Sequence, residues 1–291
     1  MASLKSQIGK WAVGTWRKSQ QFLRLEIAPY WYFHVQRMKP LLVYQMGKVG
    51  SSTIASTVDA YAQYPVYHVH NLHPKNLRAL TEAHNSKRID IPPHLYTGKM
   101  VSQHIIARGL PAKIITLVRD PIARALSDFF QNYTFHTGKT FVNNLAIVQD
   151  HIESHLKRDH FDYPLDWFQN EFQPVLGIDV FEHPFPHEQG YLRIKTEQYD
   201  ILLLRIETDD AVITQALADF LDVPNLKLIH ANQGASKAYG SAYKTIQNQI
   251  ALAEGTIDEV LNNQFTSHFY SDTERDRMRS KWVARSVSNI S

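Results

Sequence analysis

Leu41-Leu42-Val43-Tyr44-Gln45-Met46-Gly47-Lys48-Val49-Gly50-Ser51-Ser52-Thr53-Ile54 is the stretch on which the reading of the whole chain turns. Leu41 to Met46 is a short apolar run of strand character, Gly47 to Thr53 is a loop with two glycines, and Ile54 to Tyr61 continues in helical register. A glycine loop between a strand and a helix aims successive backbone N–H groups and the helix dipole at one point, which favours a phosphate or sulfate there. Lys48 adds a point charge, Ser51, Ser52 and Thr53 add hydroxyl donors, and Gly50 would let the backbone approach an anion closely. Gly47 and Val49 complete the loop. The order of residues is not that of a Walker A loop, because the lysine precedes the second glycine, and no acidic magnesium-binding strand is evident. Both absences count against an ATPase or a nucleoside kinase. Read structurally, the same residues are a Gly-Ser turn that begins a helix.

Outward from this loop the chain alternates strands and helices. Strands are expected at Pro65 to His70, Lys113 to Val118 and Tyr199 to Ile206, with helices over Ile122 to Tyr133, entered through Pro121, and Asp209 to Leu221. Such alternation implies an α/β fold with a mostly parallel central sheet covered by helices on both faces, a three-layer arrangement. Arg119 ends the third strand, and Ser127 follows eight residues later on the next helix, so both can converge on one anion. In parallel sheets ligands bind at the carboxyl ends of strands, so the Lys48 loop and the Arg119 turn could grip opposite ends of one bisphosphorylated nucleotide. The structural alternatives are an ion pair of Arg119 with Asp120, and a surface pair of Arg124 with Asp128 one helical turn on.

The chain holds 15 histidines, so position has to select among them. His68 and His70 share one face of the second strand, and His70 lies at its carboxyl end, where the anion site is expected. His70 is therefore the candidate general base, with His104 as a rival and core packing as the alternative for His68. His68, His70 and His73 form a His-x-His-x-x-His pattern, but Leu72 stands where a metal-binding aspartate would be needed and Pro74 breaks the run, so no metal is expected. Glu207, at the end of the fourth strand, is structural or orients a loop. Asp209-Asp210 suits a helix start.

The chain has 291 residues, 44% of them hydrophobic and 20% charged, which suits one large core and excludes a wholly disordered chain. It contains no cysteine, which rules out disulfides, thiolate metal sites and a cysteine nucleophile, and fits a cytoplasmic setting. Net charge is +3, distributed unevenly. Residues 1–39 form a basic, aromatic arm suited either to an anionic membrane surface or to packing on the domain with its cations in water. Residues 40–291 form the α/β domain. They are slightly acidic, which argues against nucleic acid as a partner. No apolar run reaches the length of a membrane-spanning helix. Residues 135–195 read as an irregular insertion above the sheet, with one helix near Asp166 to Phe172. Its aromatics, including Tyr133 at its base, His136, Trp167, Phe168 and Tyr191, offer faces suited to sugars or to a core. Ser271 or Asp272 is expected to cap a last helix running to Trp282.

Gln45 to Thr53 resembles the 5′-phosphosulfate loop of sulfotransferases, and Leu117-Val118-Arg119-Asp120-Pro121-Ile122-Ala123-Arg124-Ala125-Leu126-Ser127 resembles their 3′-phosphate motif. With His68-Val69-His70, Gly177-Ile178-Asp179-Val180 and His268-Phe269-Tyr270-Ser271, the chain is similar more narrowly to a bacterial group labelled for capsular polysaccharide synthesis. The resemblance spans roughly Leu41 to Trp282; the glycine loop departs from the commonest sulfotransferase form. It implies a P-loop-like fold and 3′-phosphoadenosine 5′-phosphosulfate as the nucleotide donor. Lys48 would stabilise charge developing on the leaving group, the Gly47–Thr53 loop would hold the 5′ end, Arg119 and Ser127 the 3′-phosphate, and His70 would take the proton of the acceptor hydroxyl. The Asn232-Gln233-Gly234-Ala235-Ser236-Lys237 stretch resembles a loop that covers the nucleotide in some sulfotransferases. The implied reaction is transfer of a sulfuryl group to a carbohydrate, without a metal. The competing readings are a P-loop kinase or NTPase, and a glycan- or nucleotide-binding protein of capsule assembly without turnover.

Overall fold

The structure, a computed structural model, describes residues 39–63, 65–87, 90–141, 144–155, 159–230 and 252–287. The basic arm up to residue 38 and the Asn232 to Lys237 stretch lie outside the described residues. Strands β1 (Leu41–Tyr44), β2 (Val66–Val69), β3 (Ala112–Val118), β4 (Tyr191–Lys195) and β5 (Tyr199–Arg205) form one sheet in the order β2-β1-β3-β5-β4. All neighbours are parallel except β4, which pairs antiparallel with β5 at one edge. β1 is buried throughout and β3 and β5 nearly so, as strands covered on both faces must be.

Helix α1 (Ser51–Tyr61) follows β1; α2 (Pro74–Ser86) and α3 (Pro93–Val101) follow β2; α4 (Pro121–Gln131) and α5 (Tyr133–Thr137) follow β3. Then come α6 (Leu145–His155), α7 (Asp159–Trp167) and α8 (Gln173–Leu176) before β4, α9 (Asp210–Leu221) after β5, and α10 (Glu254–Leu261), α11 (Gln264–Phe269) and α12 (Asp272–Val287). The three-layer, mostly parallel α/β expectation holds, and the strands fall within a residue or two of their expected limits. Among the described residues no helix is long and apolar enough to cross a membrane.

The stretch 135–195 differs from its expected irregularity. It is largely helical, α7 running into a π-helical turn over Phe168–Phe172, and its last residues form a strand not expected from sequence, β4. Burial explains the helices: Val148, Ile152, Phe161, Leu165, Trp167, Phe168 and Phe172 all lie in the core, so packing overrides the Pro and His signals that suggest a loop. Tyr133, Trp167 and Phe168 are at most 2% exposed and build that core; they offer no open face to a sugar. His136 faces Asp128 instead, and Tyr191 is half-buried on the outer strand β4.

Two local devices hold the functional edge. Ser271 caps α12: its Oγ accepts from the Glu274 N–H, and Glu274 Oε2 accepts from the Ser271 N–H and hydroxyl, a reciprocal capping box. Gly98 lets α3 lie against the chain leaving β2, because a Cβ there would stand 2.4 Å from the Asn71 carbonyl oxygen. Gly98→Ala is therefore expected to lower stability by about 2 to 3 kcal/mol in urea unfolding. Gly255→Ala, in α10, whose Cβ would meet nothing within 4 Å, is expected to leave stability unchanged or raise it by up to about 1 kcal/mol.

Candidate active site

Because β1, β2, β3 and β5 are parallel, the segments that follow them leave from one edge of the sheet: the Gly47 loop, His70, Arg119-Asp120 and Ile206-Glu207. The Gly47 turn and the Arg119 guanidinium therefore face the same side, and they touch. Arg119 Nη1 donates to the Lys48 carbonyl at 2.8 Å, and Arg124 Nε donates to the Gly47 carbonyl at 2.9 Å. Two carbonyl dipoles that would repel an anion in the loop are each held by an arginine. Arg119 keeps further N–H donors beyond the one so used. Its alternative role as a partner of Asp120 does not apply, because the Asp120 carboxylate caps α4, accepting from the Ile122 and Ala123 N–H groups, and also accepts from Trp282 Nε1. Nor is Arg124 a surface residue. It is 5% exposed, lies 3.7 Å from Asp128 and stacks over the Tyr163 ring with 4.7 Å between guanidinium carbon and centroid.

The loop backbone is held in an uncommon shape. Lys48 has φ +73° and Gly50 φ +78°, with Val49 fully buried between them as the anchor. A left-handed residue other than glycine costs roughly 1 to 2 kcal/mol, and such strain gathers at functional sites. Gly50 precedes α1 without a side-chain cap, so the first turn of that helix, carrying Ser51, Ser52 and Thr53, has no capping side chain at its N-terminus. Gly50 also permits close packing of β5's exit: beyond its φ, a Cβ would stand 2.9 Å from Ile206 Cγ1. Among the described residues a Cβ at Gly47 would meet nothing within 4 Å, so none of them gives a steric reason for glycine there.

Beside the loop stand three histidines. His68 Nε2 lies 3.0 Å from Ser51 Oγ, and the His68 and His70 rings meet edge to face at 4.9 Å. His94, in the first turn of α3, meets His70 edge to face at 5.2 Å. His70 Nδ1 lies 3.0 Å from the Gln45 carbonyl oxygen, which can only accept, so Nδ1 carries the proton and Nε2 presents the lone pair. Burial lowers the His70 pKa to about 3, helped by His68, His94 and Lys48 and opposed by the Gln45 carbonyl. His70 is neutral at pH 7 and able to accept a proton at Nε2. Burial also lowers His68, with His94 adding to it, and lowers His94, with His84 and Lys48 adding to it. His104 is no rival by position: it follows His94 by ten residues on the same helical run, roughly 15 Å down the axis at the α-helical rise.

Ser127 is half-buried on α4, one turn beyond Arg124 and on the neighbouring stripe of the same helix. Glu207 orients the Arg119 turn, accepting from the Asp120 N–H at 2.8 Å and from the Tyr270 hydroxyl at 3.0 Å. Burial raises its pKa against the opposing hydrogen bonds from the Asp120 N–H and the Tyr270 hydroxyl, with the Asp120 charge adding to the rise. Among the described residues no group of three or more His, Asp or Glu side chains is placed to hold a metal ion.

Three site residues were not singled out from sequence. His94 carried no signal beyond being one more histidine. Gln45 is a fully buried amide at the end of a strand. Tyr163 comes from the insertion: the residue is 39% exposed, yet its hydroxyl is held by the Gly47 backbone beside Arg124 and buried enough to push its pKa up to about 12. Asp128 stands behind this group. Burial works against its ionisation, but the His136 hydrogen bond, the Arg124 charge and Asn132 outweigh it and hold the pKa at about 2, against 3.8 for the free side chain. That stability is fully present above about pH 4 and is lost as pH falls through 2. In acid-dependent urea unfolding the protein should lose about 2 kcal/mol between pH 5 and 2 that an Asp128→Asn variant does not lose.

Residues 144–271 match a family described as "Putative capsular polysaccharide synthesis protein". No curated protein and no solved structure matches. The matched stretch starts after the glycine loop and the Arg119 helix, and takes in Tyr163, Trp167, Glu171, Arg205 and Glu207.

Proposed function

We propose that this protein is a sulfotransferase, moving a sulfuryl group from 3′-phosphoadenosine 5′-phosphosulfate to a hydroxyl of a cell-surface or capsular carbohydrate. The observation that carries the reading is the contact of the Arg119 guanidinium with the Lys48 carbonyl, which makes the glycine loop and the Arg119 turn one continuous cationic edge. A nucleotide with phosphate at its 3′ position and phosphosulfate at its 5′ position has two anionic ends of the kind such an edge would hold. The family description points to polysaccharide as the acceptor class.

In this reading the acceptor oxygen attacks sulfur in line. A new S–O bond forms as the S–O bond to the phosphate breaks, the acceptor proton passes to His70 Nε2, and the leaving nucleotide carries the electron pair away. Lys48 stabilises the charge that develops there. Ser51, Ser52 and Thr53 hold the 5′ end at the start of α1, while Arg119 and Ser127 hold the 3′-phosphate. His70 is a weak base, so its contribution is chiefly to accept the proton once the S–O bond is well advanced. Neither step needs a metal.

The test is incubation of the purified protein with sulfur-labelled donor and extracted cell-surface glycans. Label in a polysaccharide fraction, lost on His70→Ala, is the expected result. Binding of the donor nucleotide without transfer to any glycan would favour a binding module of capsule assembly.

A further inference from the structure

Gln45 lies fully buried between His68, His70 and the first turn of α1. Its amide Nε2 position is 2.9 Å from His68 Nε2 and 3.3 Å from His70 Nδ1, while Oε1 is buried with no hydrogen-bond partner among the described residues. The main-chain carbonyl of the same residue already fixes a proton on His70 Nδ1. An amide nitrogen facing that N–H at 3.3 Å would set donor against donor. Oxygen and nitrogen of a carboxamide are distinguished by the hydrogen-bond network around them. With the amide turned over, Oε1 shares the His70 Nδ1–H with the Gln45 main-chain carbonyl and the His68 Nε2–H with Ser51 Oγ, as three-centre bonds, and the donor conflict is gone.

We infer that Gln45 presents its carboxamide oxygen to both histidines, which makes His68 an Nε2–H donor to Ser51 and His70 an Nδ1–H ring with Nε2 open. The protonation of two histidines is thereby set by one residue that touches no substrate. The consequence for the loop follows from hydrogen counting. A hydroxyl oxygen that accepts from His68 at 3.0 Å keeps its own proton to donate, so Ser51 is set to point its O–H at an anion in the loop. Were His68 the acceptor, Ser51 would spend that proton on the ring and turn a lone pair toward the anion. Gln45 and His68 are positioning residues. Ser51 is the group they act through, and its anion-facing role rests on the proposed function; the hydrogen arrangement does not.

The experiment is a long-range nitrogen–proton NMR spectrum of the full chain labelled with 15N-histidine, the two rings being assigned from His68→Gln and His70→Gln variants. The expected result at pH 7 is a neutral His70 protonated on Nδ1 and a neutral His68 protonated on Nε2. His68 protonated on Nδ1 instead overturns the inference. A second readout is the affinity for 3′-phosphoadenosine 5′-phosphate. His68→Phe, which cannot donate, should weaken it by about tenfold, and His68→Gln, which can, should recover most of that. Equal weakening in both variants, with folding intact, contradicts the role given to Ser51. No binding by the unaltered protein removes the proposed function but leaves the NMR spectrum to decide the hydrogen arrangement.

Discussion

In the proposed reaction, replacing Lys48 by glycine should reduce sulfuryl transfer by about 100- to 1,000-fold, the usual cost of removing one group that stabilises charge in a transition state, without lowering the melting temperature. The two halves of this expectation come from different atoms. The proposed activity depends on the ammonium, whereas the fold uses the Lys48 backbone, whose carbonyl accepts from Arg119 and whose φ of +73° glycine adopts without strain. Relief of the left-handed strain offers about 1 to 2 kcal/mol to offset whatever the side chain contributes. Lys48→Ala keeps the strain and should be equally inactive but less stable than Lys48→Gly. Rates with labelled donor and melting curves on the three proteins check the point. A glycine variant that retains more than a tenth of the activity would remove Lys48 from the chemistry.

The second large effect is on folding. Glu171, in the π-helical turn after α7, is 1% exposed and surrounded by donors: the Tyr44 hydroxyl at 2.8 Å, the His73 N–H at 2.7 Å, the Asn76 amide at 2.6 Å and the Leu72 N–H. It ties the insertion to the end of β1 and to the start of α2 at once. Glu171→Ala leaves those donors buried without an acceptor at about 1 to 3 kcal/mol each where no water reaches them. Partial relaxation should hold the total near 4 kcal/mol, most of the margin of a domain at the lower end of ordinary stability. Urea unfolding, or its failure to give soluble protein at 37 °C, measures this. Glu171→Gln, which keeps one acceptor oxygen, should be less damaging. A loss below about 1 kcal/mol in the alanine variant would show that the network is not structural.

The frame of this protein was legible because its signals are local. Strand limits follow from continuous apolar runs such as Lys113 to Val118, and the Gly47 loop and Arg119 turn are contiguous segments whose chemistry is written in adjacent residues. The capping of α12 by Ser271 and of α9 by Asp209 is likewise short-range. What was illegible depends on tertiary contact. The helices of the insertion are held by burial of Val148, Phe161 and Trp167, and the local sequence, with Pro164 inside α7, argues the other way. β4 is short, has one buried residue, Ile194, and needs β5 beside it to exist. Tyr163 reaches Gly47 and His94 reaches His70 only because the fold brings distant segments together. Arg124 shows the limit most plainly. Its spacing from Asp128 is that of an exposed helical pair, yet it is buried and spends its Nε on the glycine loop.

Calorimetric titration tests directly whether one edge of the sheet grips both ends of one nucleotide, as proposed. 3′-Phosphoadenosine 5′-phosphate should bind the unaltered protein without added metal, at least tenfold more tightly than adenosine 5′-monophosphate, with Arg119→Ala abolishing the difference between the two ligands. Preferential binding of ATP with magnesium, or equal affinity for nucleotides with and without the 3′-phosphate, would contradict it.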